Sequence, residues 1–183
     1  MEKQSSAKII AMCALAVAIN VVIGRTVSLF NIPFLFLDTM GTIFIAANFG
    51  MSWGILTGFT TNLLAAVLGG GAVEIPFGLI NVAVAIVVAL ISKNNFTYKK
   101  AALAGLLLGV ICPIIGTFIR LTLFGGFTGS GTDIFISILR ASGQNIFAST
   151  FLATLGSNLI DKITSCLLVC MFGQSNVIQR IIR

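Results

Sequence analysis

The sequence predicts an all-α integral membrane protein with six transmembrane helices, and three observations support this fold class. Hydrophobic residues make up 57% of the 183 positions and charged residues only 9%. The mean hydropathy is +1.09. Soluble domains carry about 25% charged residues, so a soluble fold of this length is excluded. A chain of this length accommodates about six spans of ~20 residues, which predicts a single membrane domain over residues 1–183.

Six apolar segments are predicted to cross the membrane: residues 7–29, 33–49, 53–68, 76–91, 101–124 and 144–172. Pro76 opens the fourth span, where its missing N–H costs no helical hydrogen bond. The motif Gly24-Arg25-Thr26 is expected to interrupt the outer end of the first span. Residues 133–140 are expected to form a short helix at the surface.

The distribution of cations predicts the orientation of the spans. With six spans, three basic groups fall on one side of the membrane: Lys3 with Lys8, Lys93 with Lys99 and Lys100, and Arg180 with Arg183. Because basic loops stay in the cytoplasm, both termini are predicted to be cytoplasmic. The net charge of +6 therefore predicts topology and gives no indication of nucleic-acid binding.

This orientation places charges of both signs at the outer ends of the spans: Arg25, Asp38, Glu74, Arg120, Asp133 and Arg140. Mixed, hydrogen-bonding groups on the outer side predict a site that captures a solute from the exterior. The segment 69–76 holds three consecutive glycines, which give a loop conformational freedom, followed by Glu74 and Pro76. We interpret it as a mobile lid, with Glu74, Phe77 and Asn81 lining one wall. Glu74 either contacts the ligand or latches the lid to Arg25, Arg120 or Arg140.

Four further polar residues are candidate ligand-binding groups with structural alternatives. An ionisable residue inside a membrane segment, such as Asp38, indicates a functional site, unless it pairs with Arg25 or caps the second span. Arg120 is suited to an anionic or carbonyl group, but it also fits an ion pair or a snorkelling side chain. Gln144 and Asn145 carry amides, which read the edges of heterocycles and also join helices.

The adjacent residues Asp161 and Lys162 lie in the last span. Neighbouring residues on a helix do not face each other, so no simple ion pair is predicted between them. A contact to a partner protein and a contact to lipid headgroups both remain open.

Several chemistries have no supporting motif. The chain has no histidine, no phosphate-binding Gly-Lys-Ser/Thr loop and no Gly-x-Ser-x-Gly nucleophile. The four cysteines lie in apolar segments without metal-ligand spacing. We therefore predict no enzymatic activity, no metal site and no cofactor.

Small residues recur on one face of the first span: Ala7, Ala11, Ala14 and Ala18. Such a face lets a second helix approach closely, either inside the bundle or on a partner protein. The motifs Gly54-x-x-x-Gly58 and Gly105-x-x-x-Gly109 are predicted to serve packing inside the bundle.

The chain resembles the substrate-binding S components of energy-coupling-factor (ECF) transporters over its whole length. The resemblance rests on the six spans, on Ala14-x-x-x-Ala18, and on two segments followed by Pro76 and Asn81. These segments are Leu37-Asp38-Thr39-Met40-Gly41-Thr42 and Thr61-Asn62-Leu63-Leu64.

The resemblance implies a multi-pass protein of the bacterial cytoplasmic membrane. It would capture a vitamin, a precursor or a nucleobase-like heterocycle under its outer loops. The alanine face would dock on a membrane coupling subunit that carries two ATPases. The implied binding groups are Asp38, Glu74, Asn81, Arg120, Gln144 and Asn145, and a stacking surface would come from Phe30, Phe34, Phe77 or Phe127. The alternatives are a standalone channel or secondary transporter, and a structural membrane protein.

Overall fold

The fold is a bundle of helices. The computed structural model describes residues 6–30, 32, 34–93, 95–175 and 178–179, and these ranges contain no β-strand. They form seven helices of ten or more residues: α1 (Ser6–Leu29), α2 (Met40–Phe49), α3 (Met51–Ala65), α4 (Glu74–Ser92), α5 (Tyr98–Phe124), α6 (Thr132–Ala141) and α7 (Ile146–Gly173). A π-helical turn, Ala66–Gly70, extends α3. Lys3, Pro33, Arg180 and Arg183, which entered the topology prediction, lie outside the described residues.

Within the described residues, five stretches are long and apolar enough to cross a membrane: Ser6–Leu29, Met51–Gly69, Glu74–Ser92, Tyr98–Phe124 and Ile146–Gly173. The all-helical prediction is confirmed, whereas the count of six spans and the orientation of the termini are not. The second predicted span is the one that is not long enough to cross the membrane as a helix. Its helix α2 has 10 residues, which is about 15 Å, against a hydrocarbon thickness of about 30 Å.

The prediction of one continuous helix over 33–49 is wrong in its first part. The segment 34–39 precedes α2 as turns and irregular chain. Phe34 and Leu37 have φ angles of 65° and 53°, a region that side chains other than glycine rarely adopt. The N–H groups of Phe36 and Leu37 both donate to the Asp161 carboxylate on α7, which takes the place of helical acceptors.

The predicted interruption of the first span at residues 24–26 is also wrong, because α1 continues unbroken to Leu29. Gly24 serves a close contact instead: a Cβ atom there would lie 3.0 Å from the Cβ of Asp38. The predicted short helix over residues 133–140 is confirmed as α6.

Glycines set the closest helix contacts, as the two Gly-x-x-x-Gly motifs predicted. A Cβ on Gly105 would lie 2.6 Å from the Cα of Ile163, and one on Gly109 would lie 3.1 Å from the Cα of Leu159. These pairs run in opposite directions along the chain, so α5 and α7 pack antiparallel. Gly58 packs in the same way on Asn81 of α4. Close backbone approach of this kind is what stabilises helix pairs in lipid.

The core lies in the half of the bundle that contains the α4–α5 connection. Its fully buried side chains come from α2, α4, α5 and α7: Ile43, Val84, Val88, Leu108, Cys112 and Cys166. The described cysteines are free thiols, and they pack as small apolar side chains.

Gly41, in the motif that opens α2, is predicted to be intolerant of any side chain. Its added Cβ would overlap the backbone of Ala16 on α1, so Gly41→Ala must push the two helices apart. We expect the free energy of unfolding to fall by about 1–3 kcal/mol, measured as a lower melting temperature in detergent. Gly156→Ala is the matched control, because a Cβ on Gly156 meets no atom within 4 Å. Equal melting temperatures for the two variants would contradict this packing.

Candidate functional site

One end of the bundle holds a cavity of about 260 Å³. It lies at the end opposite to the α4–α5 connection, where Lys100 donates to the carbonyl of Lys93. Its lining combines three phenylalanines, several amides and five charged residues. The residues used below are Arg25, Phe34, Phe36, Asp38, Glu74, Phe77, Asn81, Arg120, Asn158 and Lys162.

A chain of buried amides builds one wall of the cavity. Asn20 on α1 donates to Thr42 at 3.0 Å and to Thr61 at 3.1 Å, while its carbonyl oxygen accepts the N–H of Gly41. Thr42 donates to Asn81 at 2.9 Å, and Asn81 donates to Asn62 at 2.8 Å. This network joins α1, α2, α3 and α4, and it holds each amide in one orientation.

The network continues to the start of α4, where Asn62 donates to the carbonyl of Glu74 at 3.1 Å. The segments 37–42 and 61–64, which carried the family resemblance, therefore supply partners of one hydrogen-bonded wall. Asn81 lines the cavity, as predicted, but its carbonyl oxygen and one amide N–H already have partners inside the protein.

An ion pair inside α7 forms the floor of the cavity. Lys162 Nζ lies 2.6 Å from Asp161 Oδ2, and both side chains are almost completely buried. The prediction that these neighbours form no ion pair is therefore wrong, because the long lysine side chain folds back onto the carboxylate. Lys162 also donates to Thr39 at 3.1 Å, and Asp161 Oδ1 accepts the N–H groups of Phe36 and Leu37 at 2.8 Å each.

Asp161 and Lys162 are buried, which excludes the contacts to a partner protein or to lipid headgroups that the sequence had left open. Neither side chain reaches a partner protein or a lipid headgroup. Their hydrogen-bond partners are instead Thr39 and the backbone of the segment 34–39, so the pair holds that segment against α7. A charge buried in a membrane helix is tolerated when it is paired and hydrogen-bonded in this way.

Asp38 lies beside the floor and is less completely paired. Its Oδ1 atom is buried, has no hydrogen-bond partner among the described residues, and lies 3.7 Å from Lys162 Nζ. The side chain still exposes 43% of its surface. Because Oδ1 is buried and Asp38 lines the cavity, that exposed surface faces the cavity interior.

Arg120 organises the loop between α5 and α6, which closes one side of the cavity. Its guanidinium donates to Asp133 Oδ1 at 2.7 Å and to Ser130 Oγ at 2.7 Å. Asp133 Oδ2 in turn accepts the N–H groups of Thr128 and Gly129. The loop is therefore held by one charged pair, and the predicted ion-pair alternative for Arg120 is confirmed.

Glu74 begins α4 and lines the cavity. The carboxylate makes no ion pair within the part of the chain that the structure describes. Arg25, one of its predicted latches, instead donates to the carbonyl of Ala65 at 2.6 Å, where the α-helical part of α3 ends. Gly69 and Gly71 in the connecting loop have φ angles of 104° and 72°, which favour glycine.

The cavity brings together five of the seven predicted ligand-binding residues: Asp38, Glu74, Phe77, Asn81 and Arg120. Gln144 and Asn145 are exposed at the start of α7 and are not among the lining residues. The side chain of Asn145 accepts the N–H of Ala148, so it caps α7. Among the proposed stacking residues, Phe34 and Phe77 line the cavity, whereas Phe30 and Phe127 are exposed elsewhere.

Sequence reasoning missed Lys162 as a lining residue, and it left the amide of Asn158 out of the predicted set of ligand-binding residues. With Thr154 they occupy one face of α7 at a spacing of four residues, and all three line the cavity. The available signal was the presence of a lysine inside an apolar span, since an intramembrane charge indicates a functional site.

A helical membrane bundle with a polar cavity at one end has the architecture of a membrane-embedded solute-binding protein. The family model described as "ECF-type riboflavin transporter, S component" matches residues 4–177. The chain belongs to this family, and it is therefore a substrate-binding subunit of a membrane transporter. The family is one of transport subunits and not of enzymes. Among curated proteins, no sequence matches the chain.

Asp133 is predicted to hold the α5–α6 loop closed. Asp133→Asn removes the charge that pairs with Arg120 and weakens two backbone hydrogen bonds. We expect amide hydrogen exchange in residues 125–131 to become about tenfold faster, measured by mass spectrometry in detergent. Ser137→Ala is the control, since it removes only an exposed hydrogen bond to the Asp133 carbonyl. Unchanged exchange in the Asp133 variant would show that the loop is held by other contacts.

Proposed function

We propose that the protein captures a small heterocyclic micronutrient in this cavity and delivers it to an ECF coupling module. Riboflavin is the first candidate, because the matched family is described as a riboflavin transporter component. The observation that carries the proposal is the cavity itself, which combines phenylalanine side chains with polar groups at one end of the bundle.

The size and lining of the cavity fit such a ligand. Its volume of about 260 Å³ lies just below the range of about 300–1,000 Å³ typical of small-molecule sites. Phe34, Phe36 and Phe77 offer aromatic surface for a planar ring. Phe77 is itself stacked on Phe124, with ring centroids 6.1 Å apart, and this contact holds its orientation.

The polar residues of the lining divide into two proposed roles. Asp38 Oδ1 has no hydrogen-bond partner, and the Glu74 carboxylate makes no ion pair, among the described residues. Both residues line the cavity and are proposed ligand contacts. Asn81 and Arg120 are proposed positioning residues, because their polar atoms already bind Thr42, Asn62, Ser130 and Asp133.

We further propose that the chain crosses the bacterial cytoplasmic membrane six times as a single domain. The non-helical segment 34–39 and the short α2 together would make the second crossing. Lys93, Lys99 and Lys100 lie at one end of the bundle and the cavity at the other, which supports cytoplasmic termini and an outward-facing cavity. A ligand would then enter from the exterior.

The partner proposal rests on the alanine face of α1. Ala7, Ala11, Ala14 and Ala18 are all exposed, whereas the neighbouring Cys13, Ala16 and Val17 are buried in the bundle. The face is therefore not used for packing inside the chain. We propose that it docks on the membrane coupling subunit, which carries two ATPase subunits.

Riboflavin binding tests the proposed function directly. We expect the purified protein to bind riboflavin saturably, measured by quenching of flavin fluorescence, and to release a flavin or related heterocycle on denaturation. Phe77→Ala should weaken binding about tenfold or more, because ring stacking contributes about 1–3 kcal/mol. Phe127→Ala is the matched control, since Phe127 is exposed outside the cavity lining. If riboflavin and a panel of vitamins and nucleobases leave the protein unaffected, the proposed function is wrong.

Docking through α1 is tested by enlarging the exposed side chains of its alanine face. Replacing Ala14 and Ala18 by leucine should prevent close approach of a partner helix and reduce pull-down of the coupling subunit about tenfold or more. Riboflavin binding by the isolated protein should not change. Val110→Phe is the control, because it enlarges an exposed side chain on α5. Undiminished pull-down by the leucine variant would place the docking surface elsewhere.

A further inference from the structure

The floor of the cavity holds two carboxylates and one ammonium group. Asp161 uses both of its oxygens: Oδ1 accepts two backbone N–H groups, and Oδ2 pairs with Lys162 at 2.6 Å. Lys162 divides its hydrogen bonds between Asp161 and Thr39. Asp161 is therefore the counter-ion of Lys162, and its hydrogen bonding is complete.

Asp38 is the carboxylate that remains. Its Oδ1 lies 3.7 Å from Lys162 Nζ, which is within ion-pair distance but too long for a hydrogen bond, and it accepts no hydrogen bond from the described residues. The rest of the carboxylate faces the cavity. A buried acceptor without a donor is costly, so Asp38 Oδ1 can accept a hydrogen bond that the described residues do not supply.

The charges around the cavity also leave a carboxylate in excess. The lining contributes Arg25, Arg120 and Lys162 as cations and Asp38 and Glu74 as anions. Two of the cations are paired with carboxylates outside the lining, Arg120 with Asp133 and Lys162 with Asp161. At the floor, the carboxylates of Asp38 and Asp161 therefore accompany Lys162 alone, so an added anionic group would meet no unpaired cation there. Arg25, the third lining cation, donates to the carbonyl of Ala65 at the end of α3.

We propose that the cavity selects an uncharged or cationic ligand that donates a hydrogen bond to Asp38, and that it excludes the phosphorylated form of the same ligand. The inference rests on the proposed function, because it names the class of ligand for the same cavity. A hydroxyl or ring N–H supplies the missing donor. A phosphate supplies acceptors and negative charge in place of a donor, which the excess of carboxylates opposes.

The first experiment requires no ligand. Asp38→Asn removes the surplus charge and supplies an N–H donor, so the melting temperature of the purified protein should stay within about 2 °C of wild type or rise. Asp161→Asn removes the counter-ion of Lys162 and should lower it by about 6 °C or more, or prevent accumulation of the protein. A loss in Asp38→Asn of about 6 °C or more would make Asp38 a structural partner of Lys162 and overturn the proposal.

The second experiment uses riboflavin and riboflavin 5′-phosphate as a matched pair of probes. Wild-type protein should bind the phosphate ester at least about tenfold more weakly. Asp38→Asn should bind riboflavin about tenfold more weakly and reduce the preference between the two probes to within about threefold. Glu74→Gln removes an equal charge from the same cavity and should keep most of the preference. Equal affinity of wild-type protein for both probes, or an unchanged preference in Asp38→Asn, would overturn the proposal.

The two experiments separate failure of this inference from failure of the proposed function. If neither flavin binds, riboflavin is not the ligand, and the melting temperatures still decide whether Asp38 is the surplus carboxylate. If riboflavin binds but its phosphate binds equally well, the proposed function stands and the charge selection is wrong.

Discussion

The Asp161–Lys162 pair is the interaction on which the binding end of the bundle depends. A lysine inside an apolar helix requires a counter-ion, and here the preceding residue on the same helix supplies it. The pair then has enough remaining hydrogen-bonding capacity to bind Thr39 and two backbone N–H groups of the segment 34–39. These bonds hold the segment, which has left-handed backbone conformations at Phe34 and Leu37, against α7. Residues of the segment line the cavity above the floor.

The amides on the wall of the cavity satisfy one another's hydrogen-bonding groups inside the bundle. Asn20, Asn62 and Asn81 lie where four helices meet, and lipid or core atoms there could not satisfy their polar groups. By bonding to one another and to threonine hydroxyls they make a rigid wall with few unsatisfied groups. A polar residue that lines a cavity is therefore not automatically a ligand contact, because its atoms can be committed to the wall.

Sequence predicted the class, the helical content and most of the cavity, because apolar segments and scarce charges report directly on membrane burial. It did not predict contacts that depend on side-chain length or on backbone conformation. The adjacency of Asp161 and Lys162 argued against a pair, but a lysine side chain is long enough to fold back. Gly24 suggested a helix break, whereas it accommodates Asp38 from a neighbouring segment. Tertiary partners decided both cases.

The position of Asp161 along α7 has a consequence for permeability. It is fifteen residues from Ile146, so the cavity floor lies about 22 Å along a helix of about 42 Å. Beyond the floor, the buried side chains of the apolar core pack together and close the bundle. They include Ile43, Val84, Leu108 and Cys112. These apolar side chains offer a hydrated ion no replacement for its water shell. The cavity is therefore closed at its inner end, and binding of a ligand does not by itself open a path for ions through the bundle.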